Sequence, residues 1–248
     1  MKYKFAIIGA RRKREGTGFF LINFFLEYGC ELVAVLGTSK RSNKKTAENI
    51  KNKYNINVKT YLSFSNLLKY SNPNIIVISS PKETHYKFII KSIRSTKHVF
   101  CEKPLFWKNQ EYNINYYIEN IKYIKKINKK SLIHISNQWP YTIDSFINIV
   151  QEKKSKFKIN KYFEFMLTSK NKNKINYIDS LIESLPHFIS IIEKINGIGM
   201  FSQIKYTLLK SKNFSKLIVT SNFYNKFCNI KTKFIIAYSN QYPRPAYI

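Results

Sequence analysis

Apolar and polar positions follow two different periods along the first hundred residues of the chain. Four short runs are continuously apolar and rich in β-branched residues, as expected of strands buried on both faces: 4–9, 31–37, 74–80 and 98–102. Between them, four stretches carry apolar residues at helical spacing: GFFLINFFLEYG, KKTAENIKNKY, FSNLLKY and THYKFIIKSIRS. This succession of strand and helix predicts a parallel sheet with right-handed crossovers, which is a doubly wound α/β domain.

The pattern changes in the second half of the chain. A long helical stretch at 111–129 and an apolar run at 131–136 complete the first part. Four longer runs closer to strict alternation follow, separated by polar turns: 158–169, 203–211, 216–225 and 231–239. Among them only 178–197 has helical periodicity. We therefore expect a nucleotide-binding domain at 1–136 and a smaller C-terminal α+β domain at 137–248, built on a mostly antiparallel sheet.

Composition narrows the class of protein. The 248 residues are 44% hydrophobic, which suffices for a packed core. No apolar run approaches the roughly 20 residues of a membrane span, and residues 1–5 lack the order of a signal peptide. Cys30, Cys101 and Cys228 lie far apart without a CxxC pair, so we interpret them as small core residues. We expect a soluble, cytoplasmic protein, and no cluster of metal-ligating residues is apparent.

The net charge is strongly positive. Lysine and arginine number 43 against 14 acidic residues, which gives +29. Lysine supplies nearly all of this charge and is spread along the whole chain among Asn, Ile, Tyr and Phe, the set that A/T-rich codons encode. The charge is therefore interpreted mainly as a solvated surface that binds polyanions nonspecifically. A dedicated nucleic-acid-binding protein stays open as an alternative.

The first turn is a candidate pyrophosphate site, since it links the first strand to the first helix. Gly9 fits the first glycine of G-x-G-x-x-G, but Arg11 stands in the second place, and Gly16 and Gly18 come late. The loop is lengthened and basic, with Arg12 among its charges. The alternative is a basic surface loop, and the strand–turn–helix context favours the cofactor site.

The end of the second strand bears on the choice of dinucleotide. The sequence there is Thr38, Ser39, Lys40 and Arg41, with no carboxylate. Hydroxyl donors and cations suit a 2′-phosphate, whereas an acid would suit the ribose hydroxyls of NAD. The pattern favours NADP(H) over NAD(H), and the alternative is a lysine-rich loop in a lysine-rich protein.

The stretch 74–105 resembles the second half of the dinucleotide domain in the glucose-fructose oxidoreductase and inositol dehydrogenase (Gfo/Idh/MocA) family. Six residues match in order and spacing: Ser80, Pro81, His85, Glu102, Lys103 and Pro104. The resemblance extends over about residues 3–136 and implies a Rossmann domain that binds a nicotinamide cofactor. It implies that Lys103 reaches the carbon that exchanges hydride, and that Ser80, Pro81, His85 and Glu102 lie at the cofactor.

A second constellation lies on the helix predicted at 178–197. The family carries an acid and a histidine four residues apart over the cofactor, and Glu183 and His187 have that spacing. The resemblance makes His187 the candidate proton shuttle. Glu183 replaces the usual Asp, and we expect Pro186 to begin a new helix between the two. The alternative for His187 is a partly buried structural histidine.

Trp139 and Tyr141 follow the run at 131–136, where the family often places substrate contacts. Their rings could stack on a sugar, although aromatic residues at a domain junction more often pack. The remaining histidines, His98 and His134, are interpreted as structural.

Together, these features predict an NAD(P)-dependent oxidoreductase that acts on a small polar substrate such as a sugar derivative. We also expect a homo-oligomer formed through the C-terminal sheet, without a specific nucleic-acid partner or membrane association. The alternative is a catalytically weakened, cofactor-binding or scaffolding relative. It is favoured by the altered glycine loop, by Glu183 and by a second domain that is short for the family.

Overall fold

The protein divides into two compact units, Met1–Ser136 and Asn137–Ile248. A computed structural model describes residues 2–10, 17–108, 111–150, 159, 161–170, 176–210, 215–239 and 246–247. Within these ranges, no helix combines the length and the apolar character that crossing a membrane requires.

The first unit contains a six-stranded parallel sheet, which confirms the predicted doubly wound domain. Its strands are β1 (Lys4–Ile8), β2 (Glu31–Leu36), β3 (Lys59–Tyr61), β4 (Ile75–Ile78), β5 (His98–Glu102) and β6 (Ile133–Ser136). They are arranged in the order β3-β2-β1-β4-β5-β6, and every pair is parallel. The chain first places β2 and β3 on one side of β1 and then places β4, β5 and β6 on the other side. The strand order therefore reverses between β1 and β4, which is the switch point of the sheet.

Five helices and one 3-10 turn connect these strands. The helices are α1 (Thr17–Glu27), α2 (Lys40–Tyr54), α3 (Phe64–Ser71), α4 (His85–Arg94) and α5 (Ile114–Ile127), and the 3-10 turn is Lys82–Thr84. Serine side chains cap α2 and α3, and each of these helices ends at an asparagine in the left-handed conformation. α2 begins earlier than its periodicity predicted, because Ser39 provides the cap before the amphipathic stretch starts.

The sheet has a hydrophobic core on each face, which explains why its strands are continuously apolar. Phe5 and Ile7 of β1 pack with α1 and α2, whereas Ala6 and Ile8 pack with α3, α4 and α5. Alternate residues of one strand therefore enter opposite cores. The third strand was absent from the predicted apolar runs because β3 is a three-residue edge strand with an exposed lysine at its start.

The second unit is the predicted α+β domain. Its elements are α6 (Trp139–Val150), β7 (Tyr162–Lys170), α7 (Tyr177–Asn196), β8 (Met200–Lys210), β9 (Ser215–Tyr224), β10 (Asn229–Ser239) and β11 (Ala246–Tyr247). The sheet order is β11-β7-β10-β9-β8. Among the described strands of this second sheet, only β7 and β10 pair in parallel, so the sheet is mostly antiparallel as expected.

Two expectations about the helices of this unit were wrong. α6 was not predicted, although Pro140 lies in its first turn, where proline is compatible with a helix. α7 runs unbroken through Pro186, where we expected a new helix. Its apolar face packs on the sheet, with the Phe188 ring stacked between those of Phe163 and Phe234. This packing offsets the cost of about 3 kcal/mol that proline has inside a helix.

Candidate functional site

Gly9 ends β1 in a conformation that only glycine adopts readily. Its φ is +91°, and a Cβ there would lie 2.6 Å from Ser79 O and from two backbone atoms of Ser80. The first turn therefore packs directly against the backbone that follows β4. Arg11, Arg12 and Gly16, which were predicted to bind cofactor, lie outside the described residues.

Gly18 brings the start of α1 close to the same turn. A Cβ on Gly18 would lie 2.8 Å from Ala10 Cα. Such close packing of helix and strand is what the third glycine of G-x-G-x-x-G provides. α1 begins at Thr17, so its first N–H groups, which have no partner within the helix, lie next to the turn. The late glycine thus fits the predicted function despite its unusual spacing.

The predicted 2′-phosphate residues lie at the start of α2. Thr38, Ser39, Lys40 and Arg41 are all exposed there. Ser39 Oγ accepts a hydrogen bond of 3.2 Å from Ser42 N. The hydrogen of the Ser39 hydroxyl can therefore be donated to an acceptor outside the protein. Hydroxyl groups, cations and the positive end of a helix are therefore arranged together.

Ser80 and Pro81 form the turn after β4, beside Gly9. The Ser80 hydroxyl lies 2.6 Å from Thr84 Oγ1, and Thr84 Oγ1 donates to Pro81 O at 2.7 Å. Hydrogen bonds of the Ser80 and Thr84 hydroxyl groups thus stabilise the turn.

His85 is buried in the domain, with 1% of its surface exposed. Its Nδ1 lies 2.8 Å from Pro104 O and its Nε2 lies 2.8 Å from Ser80 O. Both ring nitrogens are therefore engaged with backbone carbonyl groups. This geometry argues against the predicted contact between the His85 side chain and a cofactor.

Glu102, Lys103 and Pro104 follow β5 at the same edge of the sheet. The Lys103–Pro104 peptide bond is cis, and the Lys103 side chain is partly exposed. Glu102 Oε1 is buried and has no hydrogen-bond partner among the described residues. Cys101, which precedes them, is fully buried, and burial raises the pKa of its thiol well above its usual range, so it is chemically inert.

Sheet topology brings these turns together. β1, β4 and β5 are neighbours in the parallel sheet, so their carboxyl ends meet at one edge. The turn at Gly9, the turn at Ser80 and the turn at Lys103 each follow one of these strands. The edge offers a backbone cradle, an unpartnered carboxylate oxygen and a partly exposed amine.

His187 lies on α7 in the second unit and is 8% exposed. Its Nδ1 is 3.1 Å from Asn137 Oδ1, while Asn137 Nδ2 donates to Pro186 O at 3.0 Å. Because the carbonyl of Pro186 requires a donor, the Asn137 amide must present its oxygen to the histidine. His187 Nδ1 therefore donates to Asn137. Sequence reasoning missed Asn137, which directly follows β6.

The other residues predicted for this part of the site are arranged around α6 and α7. Glu183 lies one helical turn before His187 and is exposed. The Trp139 ring packs edge-on against Phe165 and lies 6.1 Å from the His187 ring. Tyr141 is 66% exposed on α6. Trp139 thus belongs to the hydrophobic core as well as to the surroundings of His187. In the part of the chain that the structure describes, no group of three or more His, Cys, Asp or Glu residues could hold a metal ion.

Comparison with known sequences finds similarity within the first unit. Residues 3–120 match the profile of the Gfo/Idh/MocA oxidoreductase family, described as an NAD-binding Rossmann fold. An uncharacterized oxidoreductase of Schizosaccharomyces pombe is 44% identical over 48 residues. That alignment covers 19% of this chain and 13% of the yeast protein, so the chain matches only a small part of this curated relative.

Solved structures share the fold over nearly the whole chain. Myo-inositol dehydrogenase from Lactobacillus casei, in complex with NAD(H) and myo-inositol, has a TM-score of 0.71 at 16% identity, covering 99% of this chain and 70% of that one. UDP-N-acetylglucosamine 3-dehydrogenase from Acidithiobacillus ferrooxidans has a TM-score of 0.73 at 13% identity, covering 99% of this chain and 73% of that one.

Proposed function

We propose that this protein transfers a hydride between a nicotinamide cofactor and a hydroxyl or carbonyl carbon of a small polar substrate, because residues 3–120 match the model of the Gfo/Idh/MocA oxidoreductase family. The observation that carries the proposal is the meeting of three turns at the carboxyl edge of the first sheet, with Lys103 directly after β5. Sugar derivatives are the favoured substrate class, since the structures with the same fold include dehydrogenases of myo-inositol and of UDP-N-acetylglucosamine.

Residues of the first unit fit a dinucleotide, which when bound would supply the donor or acceptor of the hydride. The turn at Gly9 and the start of α1 would hold the pyrophosphate, because backbone N–H groups can approach it there without obstruction by a Cβ. Ser80 and Pro81 form the neighbouring wall. Glu102 Oε1, buried without a partner among the described residues, would accept a hydrogen bond from a ribose hydroxyl.

Lys103 is assigned to the reacting oxygen of the substrate. Its ammonium group can donate a hydrogen bond to that oxygen, orient it and stabilise the negative charge that develops on it. Pro104 restricts the backbone directly after the lysine and so limits the positions that the lysine can take.

His187 is proposed to take up and return the proton of the substrate hydroxyl. Asn137 orients the ring through Nδ1, and the imidazole would accept a proton in the oxidation direction and return it in reduction. Glu183 lies close enough along α7 to support the charge of the protonated ring. Trp139 and Tyr141 would contact the substrate through their rings.

We propose NADP(H) as the preferred cofactor, because Thr38, Ser39, Lys40 and Arg41 suit a 2′-phosphate. The protein should bind NADPH more tightly than NADH in a fluorescence titration. The double variant Ser39→Asp with Arg41→Ala should reverse the preference, since Asp still caps α2 but repels the phosphate.

Lys45→Ala, an exposed lysine further along α2, is the matched control and should leave the preference unchanged. Equal affinities in the wild type, or a preference that the double variant does not alter, would remove the assignment.

We also propose how the protein assembles, where it acts and how it binds polyanions. The chain forms homo-oligomers through the C-terminal sheet, where β8 carries the exposed side chains of Ile204 and Tyr206. It acts in the cytoplasm, with which the free state of all three cysteines agrees. Its positive charge attracts polyanions without sequence preference.

The activity is tested by incubating the purified protein with NADP⁺ or NADPH and a panel of sugars, sugar acids and nucleotide sugars. Conversion of the cofactor with at least one member of the panel is expected. Tight NADPH binding without turnover of any compound would favour a cofactor-binding scaffold instead.

A further inference from the structure

We propose that His85 is a positioning residue that ties the turn carrying Lys103 to the turn after β4. The inference rests on the proposed function of Lys103. His85 is the first residue of α4 and is buried, and its two ring nitrogens reach two backbone carbonyl groups from different turns. One carbonyl belongs to Ser80, and the other belongs to Pro104, the residue directly after Lys103.

The chemistry of the two contacts makes histidine difficult to replace. A carbonyl oxygen only accepts hydrogen bonds, so the ring nitrogen that carries hydrogen donates to its carbonyl group. Both contacts measure 2.8 Å, and the tautomer of the ring determines which nitrogen donates. The two ring nitrogens reach two separate carbonyl groups, and this pair of contacts is called the bridge. Asn and Gln have only one nitrogen atom in the side chain, so either would keep at most one of the two contacts in this geometry.

Other contacts join the same two segments and limit what His85 can do. Trp107 N donates to Lys82 O at 3.4 Å, and the ring of Tyr86 packs against that of Phe106 at 5.1 Å. These contacts hold the segment after Lys103 close to α4 in any variant of His85. The bridge therefore adjusts the position of the turn rather than deciding whether the domain folds.

The Ser80 end of the bridge extends the coupling to the first turn. The backbone at Ser79 and Ser80 packs against Gly9, leaving no space for a Cβ. His85 is thus linked at one end to the wall of the candidate pyrophosphate site and at the other to the residue next to Lys103. A fixed distance between these turns would fix the lysine relative to the cofactor, and a misplacement of about 1 Å can cost roughly 10²-fold in rate.

The first test measures the bridge without activity. Hydrogen exchange by mass spectrometry is compared between the wild type and His85→Leu, and with His85→Gln as a second, more conservative variant. Peptides spanning 79–84 and 101–107 should exchange faster in both variants, more so in His85→Leu, while a peptide spanning 31–36 should not change. Lys45→Ala, an exposed lysine of α2, is the control and should leave all three peptides unchanged. Unchanged exchange of the first two peptides in the His85 variants would overturn the bridge.

The second test separates positioning from a merely structural role by a double-mutant cycle. His85→Leu should lower kcat by about 10- to 100-fold, and His85→Gln should recover part of the loss. In a Lys103→Met background, His85→Leu should cost little more, because a residue that acts through Lys103 loses its effect when the lysine is absent. Equal losses in both backgrounds would overturn the proposal. If the wild type turns over no substrate, the proposed function fails while the exchange experiment still decides the bridge.

Discussion

Gly9, directly after β1, is tightly constrained by its own backbone conformation and by the backbone that follows β4. Alanine at this position would combine an unfavourable positive φ with a contact of 2.6 Å to the backbone after β4. We expect Gly9→Ala to lower the free energy of unfolding by about 3 kcal/mol and to weaken NADPH binding, because the turn must move away from Ser80. Chemical denaturation and cofactor titration measure the two effects.

Gly29 provides the matched control for this prediction. Its φ is +75°, but a Cβ there would meet nothing within 4 Å. Gly29→Ala should therefore cost only the conformational strain, about 1 kcal/mol, and leave NADPH binding intact. Equal losses of stability in the two variants would show that the close approach to Ser80 has no energetic consequence.

The sequence predicted which residues end the strands but not their partners. Lys103 and Gly9 could be placed because a strand end is a local property of the chain. The contacts of His85 and His187 could not, because their partners Pro104 and Asn137 lie 19 and 50 residues away. Such pairs depend on the tertiary packing of separate elements, and the periodicity of the sequence does not predict this packing.

At the scale of elements, the tertiary packing of α7 outweighs the local tendency of Pro186 to end a helix. Pro186 predicted a helix boundary, yet the helix continues, because its apolar face is fixed against the sheet by Phe188 and its neighbours. α6 was not predicted, because it begins at Trp139 and Pro140, soon after β6, where the sequence was interpreted as a domain junction. The strands of the first sheet other than β3 were predictable because each of their apolar runs is bounded by polar residues or glycine.

Pro186 leads to a prediction about stability. The residue has no N–H to donate inside α7, so Pro186→Ala should allow one more helical hydrogen bond and raise the free energy of unfolding by about 1 to 3 kcal/mol. Denaturant unfolding of the purified variant measures the change. Ser184→Ala, on the same helix and without a proline, should change stability by no more than about 0.5 kcal/mol. A destabilised Pro186→Ala variant would mean that the helix has adapted its geometry to the proline.

At the scale of the whole molecule, the exposed apolar surface of β8 leads to a prediction about assembly. Ile204 is 65% exposed and Tyr206 is 80% exposed, and both lie on an edge strand of the second sheet. If this surface is buried between copies of the chain, the double variant Ile204→Lys with Tyr206→Lys should sediment as a monomer while the wild type sediments as an oligomer.

Tyr70→Lys is the control for the assembly experiment, because Tyr70 is 57% exposed on α3 of the other unit. It should sediment like the wild type. A monomeric wild type, or a double variant with unchanged sedimentation, would remove the C-terminal sheet as the interface.

The central claim is that Lys103, directly after β5 of the first unit, serves the proposed hydride transfer. The most direct measurement is the turnover of the best substrate from the panel by Lys103→Met, with NADPH affinity measured in parallel and Lys87→Met, an exposed lysine of α4, as the control. We predict that Lys103→Met nearly abolishes turnover while NADPH affinity stays close to that of the wild type, because the lysine acts in the transition state. His187→Ala should lose roughly 10²- to 10⁴-fold in kcat, as is typical of acid-base groups. Turnover that survives the loss of Lys103 would contradict the account.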